Sequence, residues 1–122
     1  MQKQLYFDIS SEQSGGSLYR ANDAQGRVFF WYQYSTYDDR KDEIKVFEKE
    51  YPDFNSFWTE LSSNPEWFYL HPLFVHPEQR AFVRGELQKV NWSIHSNRKW
   101  QESHQRQWKK VLEAPDSYYR QG

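Results

Sequence analysis

The chain contains no cysteine, one methionine and only five glycines in 122 residues, and its apolar residues reach just 37%. Zero cysteine removes thiol nucleophiles, disulfide staples and every thiolate zinc site, and it fits a reducing compartment. The one glycine pair, Gly15 and Gly16, stands in the polar stretch "SSEQSGG" with no helical pattern behind it, so no phosphate-cradling loop is present. A G-x-S-x-G elbow and an H-E-x-x-H pair are also missing. No apolar run approaches the roughly 18 residues that a membrane span needs. The opening "MQKQLYFDIS" has no apolar core behind a basic start and does not look like a secretion signal. These absences point to a cytoplasmic chain with no motif-borne catalysis, no metal and no cofactor. If a general base exists without a motif, His71, His76, His95 and His104 are the first candidates.

What the chain has in quantity is aromatic rings, 20% of all residues. Each ring can bury roughly 150–250 Å², so a few of them make a core that the low aliphatic content could not. A chain of this length buries roughly two thirds of its unfolded surface, which predicts one domain over residues 1–122. The net charge is −1, but it is unevenly placed: residues 1–78 hold 7 Lys/Arg against 13 Asp/Glu, and residues 79–122 hold 9 against 4. Such an asymmetry either neutralises itself within one fold or marks charged partners.

The first half reads as strands. "QLYFDIS" alternates Leu5, Phe7 and Ile9 against Tyr6 and Asp8, the period of a half-buried strand. "SLYRA" and "RVFFWYQYSTY" are joined by the turn-forming "NDAQG", a hairpin signal. After the polar "DDRKD", "EIKVFEKEY" sets Ile44 and Val46 opposite Lys45, Phe47 and Lys49 and forms a fourth strand. The third strand places Val28, Phe30, Tyr32 and Tyr34 on one face and Phe29, Trp31 and Tyr37 on the other.

The second half reads as helices. Asp53 or Asn55 caps a helix carrying Phe54, Phe57, Trp58 and Leu61 at helical spacing, ended before Pro65. Pro77 and Glu78 suit the first turn of a second helix with Val83, Leu87 and Val90 as its stripe. A third begins at a Ser96 cap and lines up Trp100, His104, Trp108 and Val111 or Leu112 before Pro115. The predicted fold is therefore α+β, an antiparallel β-meander of about four strands over residues 3–50 followed by about three α-helices packed on one face. In that layout Trp31 and Tyr37 stay on an uncovered face unless the third helix or the N-terminal loop wraps it, and a clustered exposed apolar patch marks a binding surface.

Three stretches have the residue types of a site. "EWFYLHPLFVHPEQR" holds His71 and His76 five residues apart, each followed by proline; no helical face can present both, so the segment reads as a hydrophobic strap tying helix to helix rather than as a metal site. The third helix interleaves Arg98, Lys99, Arg106, Lys109 and Lys110 with Trp100 and Trp108, a pattern that binds single-stranded nucleic acid by phosphate contact and stacking, unless the tryptophans are core. The segment "YDDRKDEIKVFEKEYPD" carries Asp38, Asp39, Asp42, Glu43, Glu48, Glu50 and Asp53 among interleaved lysines, which suits a solvated surface or an acidic docking surface better than a metal cage.

The order of "LYFDIS", an aromatic hairpin, and "FNSFWTELSSNPEWFYLHPLFVHPE" ahead of basic helices resembles the small immunity proteins that bacteria encode beside polymorphic or contact-delivered toxins. The resemblance implies a non-catalytic module that binds a cognate toxin domain stoichiometrically and blocks its action. Such families share no common set of functional residues. The toxin-facing surface is placed from this chain's own chemistry on the acidic segment 38–50 and the exposed side of the aromatic strand, especially Trp31, Tyr37, Asp38, Asp39, Asp42 and Glu43, because acidic groups suit a nuclease toxin with a basic surface and rigid aromatics suit interface anchors. The alternatives from other classes are a nucleic-acid-binding protein using the third helix and a small enzyme. A homodimer through an aromatic patch is compatible with each.

Overall fold

The structure, a computed structural model, describes residues 3–10, 14–63, 71–90 and 98–114. Five strands, β1 (Lys3–Ser10), β2 (Ser14–Asn22), β3 (Val28–Asp38), β4 (Glu43–Tyr51) and β5 (His71–Val75), form one antiparallel sheet in the order β4-β3-β2-β1-β5. Three helices follow the meander: α1 (Phe54–Ser63), α2 (Arg80–Leu87), which continues a 3-10 turn at Pro77–Gln79, and α3 (Arg98–Leu112). This is the predicted α+β layout with one strand added. No helix among the described residues is long and apolar enough to cross a membrane.

The hairpins follow from their turn chemistry. Between β2 and β3, the Asp23 carboxylate accepts from the backbone N–H of Gln25 and Arg27, and Gly26 takes φ +82°, a left-handed value that glycine adopts at little cost. Between β3 and β4, Asp38 Oδ1 accepts from Arg40 N and Asp42 takes φ +50°. Both turns are short, so each strand pairs with its neighbour in sequence.

Register decides which rings enter the core. β1 and β2 pair Leu5 with Tyr19 but Phe7 with Leu18, so Tyr6 is the extra residue of a bulge. The bulge turns both Tyr6 and Phe7 inward, and both are essentially inaccessible to solvent. One continuous cluster joins Tyr6, Phe7, Ile9, Leu18, Phe30, Tyr32 and Tyr51 of the sheet to Phe54, Phe57, Trp58, Val83, Trp108, Val111 and Leu112 of the helices. The described helices therefore all cover the same face. Phe7 sits at the middle, edge-on to Phe54, Phe57 and Trp58 and 6.1 Å from Trp108. Each such side chain removed from water contributes about 1.5–3 kcal/mol. Tyr32 lies across Gly16 of the adjacent strand, where an added Cβ would come within 2.7 Å of ring carbon Cε1. That overlap accounts for the glycine at 16, while pairing with β3 from Ser14 opposite Thr36 carries β2 into the stretch read from sequence as a loop.

The segment read as a strap contains β5. His71–Val75 pairs with β1 on the sheet edge away from β4, with Val75 opposite Phe7 and Phe74 opposite Asp8. Pro72 is tolerated there because an edge strand need not donate every amide. His76 then caps the 3-10 turn, its Nδ1 accepting from Glu78 N at 3.2 Å, while its ring stacks on Tyr6 at 4.0 Å. Helix α1 starts as predicted, with Asp53 Oδ1 accepting from Ser56 N at 2.7 Å. The buried Arg80 donates through Nε to Val75 O and through Nη1 to the carbonyls of Leu112 and Ala114, and Arg84 Nη2 also donates to Leu112 O. Two guanidinium groups thus satisfy the C-terminal carbonyls of α3, where positive charge is favoured. The predicted Ser96 cap and the Pro115 stop lie outside the described residues, as does the side chain of Trp100.

Candidate functional site

Strand alternation places Phe29, Trp31, Gln33, Ser35 and Tyr37 on the face opposite the one the described helices pack against, since Phe30 and Tyr32 point into the core. The β3–β4 register then sets Ile44 opposite Tyr37, Val46 opposite Ser35, Glu48 opposite Gln33 and Glu50 opposite Trp31. Gln33 Nε2 donates to Glu48 Oε1 at 3.3 Å. Ile44 and Val46 are 70% and 61% exposed, which is unusual for aliphatic residues in a regular strand.

Five of the six residues assigned from sequence to a binding surface lie at the β3–β4 end of the sheet; alternation sets Tyr37 on this face, and Asp38 and Glu43 on the other. Tyr37, Asp38, Asp39, Asp42 and Glu43 form and flank the β3–β4 turn. The Tyr37 hydroxyl donates to Asp42 Oδ1 at 2.6 Å, and this bond to a carboxylate holds the phenol's pKa above its ordinary value of 10.0. Asp38 stands opposite Glu43 across the hairpin, a like-charge pair. A shallow cleft of about 330 Å³ opens here, lined by Thr36, Tyr37, Asp38, Asp39, Arg40 and Lys45.

Trp31, the sixth, is on the same face but six residues up the strand, roughly 20 Å from Tyr37 at the rise of an antiparallel strand. Its neighbours are Tyr19, with ring centroids 5.8 Å apart, and Lys3, whose Nζ lies 4.7 Å from the Tyr19 ring and 5.1 Å from the Trp31 ring. The face therefore has an acidic end at the turn and an aromatic, cation-capped end at Trp31, joined by Ile44 and Val46. Ile44 and Val46 fall within the segment 38–50 assigned from sequence to that surface, and their alternation sets them on one face. Lys3 was missed because its approach to Trp31 crosses two strand registers.

The other candidates resolve into packing. Trp108 is 3% exposed in the core and cannot stack on a base, although Arg98, Lys99, Arg106, Lys109 and Lys110 remain on the outer side of α3. His71 stacks on the buried His104, with centroids 4.5 Å apart and planes 8° from parallel. Burial, chiefly, pulls the His76 pKa below 6.5, and Arg80 and Arg20 add to the effect against the pull of Glu78. Among the described residues no group of three or more His, Asp or Glu side chains is placed to hold a metal ion. A cleft of about 340 Å³ between α2 and α3 is lined in part by Arg84, Gln105, Lys109 and Glu113. Comparison of the chain with protein-family models, with curated proteins and with solved structures finds no match.

Proposed function

We propose that this chain is a cytoplasmic, non-catalytic immunity protein that neutralises a cognate toxin domain by stoichiometric binding. The observation that carries the reading is the acidic β3–β4 turn, continuous with the exposed apolar strip of Tyr37, Ile44 and Val46 on the sheet face opposite the described helices. A rigid apolar strip supplies anchors that are desolvated on contact, and carboxylates at its end steer and orient a basic partner. A toxin nuclease, whose own substrate path must be basic to hold phosphates, is the partner class with that complementarity. Blocking such a path requires only occupancy, so neither a cofactor nor a reactive side chain is called for.

The test is a growth assay in a bacterial host. The C-terminal domain of the protein encoded beside this chain is induced with and without it. The reading predicts killing by the domain alone and restored growth with the chain; continued killing in the presence of soluble, abundant chain contradicts it.

A further inference from the structure

We propose that two copies of this chain pair through their β4 edges, antiparallel and about a two-fold axis at Val46, to make one continuous ten-stranded sheet. This rests on the edge strand, which shares Glu43, Ile44 and Val46 with the surface proposed above for the toxin domain.

The two edges of the sheet are built differently. β5 is five residues long, contains Pro72, pairs with a register irregularity between Asp8 and Ile9, and is held by α3 through the Gln107 Nε2 bond to Pro72 O. β4 is nine residues long, contains no proline, and pairs with β3 without a break from Tyr51 to Glu43. Every residue from Glu43 to Glu50 is exposed, including Ile44, Val46 and Phe47 at 70%, 61% and 52%. A long, regular edge that exposes large apolar side chains is a template for another strand.

The charge pattern of β4 then selects its occupant. In a continuous antiparallel sheet, facing residues share a face, so a two-fold axis between identical strands must pass through one residue and its own copy. An axis at Lys45 opposes two lysines, one at Phe47 sets Lys45 against Lys49 twice, and one at Glu48 opposes two glutamates. An axis at Ile44 overlaps only three residues before the chain leaves the strand at Asp42, whose φ is +50°. At Val46 the conflict disappears. Glu43 of each copy faces Lys49 of the other, Lys45 faces Phe47, Ile44 faces Glu48, and the two Val46 side chains meet on the face opposite the described helices. The pairing also supplies a cation beside Glu43, which within its own chain stands opposite Asp38. Opposite charges in facing positions stabilise a strand pair and like charges oppose it, so this register is the one that β4 encodes for itself.

Because the chain has no cysteine, single-cysteine variants report the register without background. In the proposed dimer the two Val46 Cα atoms lie about 4.5–5.5 Å apart, within disulfide reach. The two Ile44 Cα atoms are four residues out of step, about 13 Å, and cannot be bridged. Under mild oxidation Val46→Cys should form a covalent dimer at least about tenfold faster than Ile44→Cys. In sedimentation equilibrium the parent chain should dimerise with rising concentration, Glu43→Lys and Lys49→Glu should each shift it to monomer, and the double exchange should restore the dimer. Since Lys49 also pairs with Glu60 at 2.7 Å, Glu43→Lys provides the break that leaves that contact intact. Equal cross-linking at 44 and 46, or a double exchange no more dimeric than either single change, would overturn the proposal.

Discussion

The hydroxyl of Tyr37 donates to Asp42 Oδ1 at 2.6 Å across the β3–β4 turn, in which Asp42 holds a left-handed φ of +50°. Aromatic anchor and acidic turn are thereby ordered as one unit, and the bond should show in the titration of the phenol. Asn tolerates the left-handed conformation as Asp does, so Asp42→Asn removes charge without changing the turn's steric demands. The Tyr37 pKa, held above 10.0 chiefly by this carboxylate, should move back toward that value. The Tyr37 ring-carbon NMR signal followed against pH is the measurement; an unmoved midpoint would mean the bond is not formed in solution.

Arg80 is the next place to test. Its guanidinium is 8% exposed and donates to carbonyls at the end of β5 and at the end of α3, so one side chain ties the sheet edge to two helices. Arg80→Met should lower stability by about 2–4 kcal/mol in urea unfolding, because buried carbonyls lose charged donors. Lysine should not rescue it, since one ammonium cannot reproduce the planar fork. Arg84→Met, which removes one bond to Leu112 O, should cost less.

His76 makes the fold sensitive to mild acid. Its Nδ1 accepts from Glu78 N, which places the neutral ring's proton on Nε2. Protonation adds the ring's second hydrogen, at Nδ1, and destroys the cap. The folded pKa is depressed below 6.5, so the unfolded chain binds the proton first as pH falls. Stability is present above 6.5, is lost as pH falls from there through the folded pKa, and changes no further below it. In His76→Asn the amide oxygen keeps an acceptor for the cap and cannot titrate. The difference in urea midpoint between parent and variant should therefore vary with pH only below about 6.5; parallel curves would exclude His76 as the source.

Gly16 is required by its neighbour rather than by its own backbone. Gly16→Ala drives a methyl into the Tyr32 ring and should destabilise by about 1–3 kcal/mol. Adding Tyr32→Phe removes the hydroxyl that comes nearest but leaves Cζ at 2.6 Å, so it should recover part of the loss and not all of it. Thermal unfolding of the single and double variants reads both.

Much of this arrangement is legible in the residues alone because it is local. The run "EIKVFEKEY" alternates cleanly and is β4 from end to end, and the Asp53 cap with Phe54, Phe57 and Trp58 defines α1. The inward and outward faces of β3 follow from alternation, so Trp31 and Tyr37 fall on the face opposite the described helices. What escapes is non-local. β5 is hidden because "HPLFV" lies between prolines and owes its extended form to pairing with β1, some sixty residues earlier. β2 begins in "SGG", which reads as a turn until Tyr32 is known to cover Gly16. The bulge that turns Tyr6 inward against the expected alternation is fixed by the partner strand's register.

The most direct test of the binding surface is calorimetric titration of the purified neighbouring toxin domain with the parent chain, with Asp38→Lys/Asp39→Lys/Asp42→Lys, and with Lys109→Glu/Lys110→Glu. The account predicts tight one-to-one binding by the parent, a loss of about a hundredfold or more on reversing the acidic turn, and little change on reversing the α3 charges. Unchanged affinity in the acidic-turn variant, or loss only in the α3 variant, would contradict it.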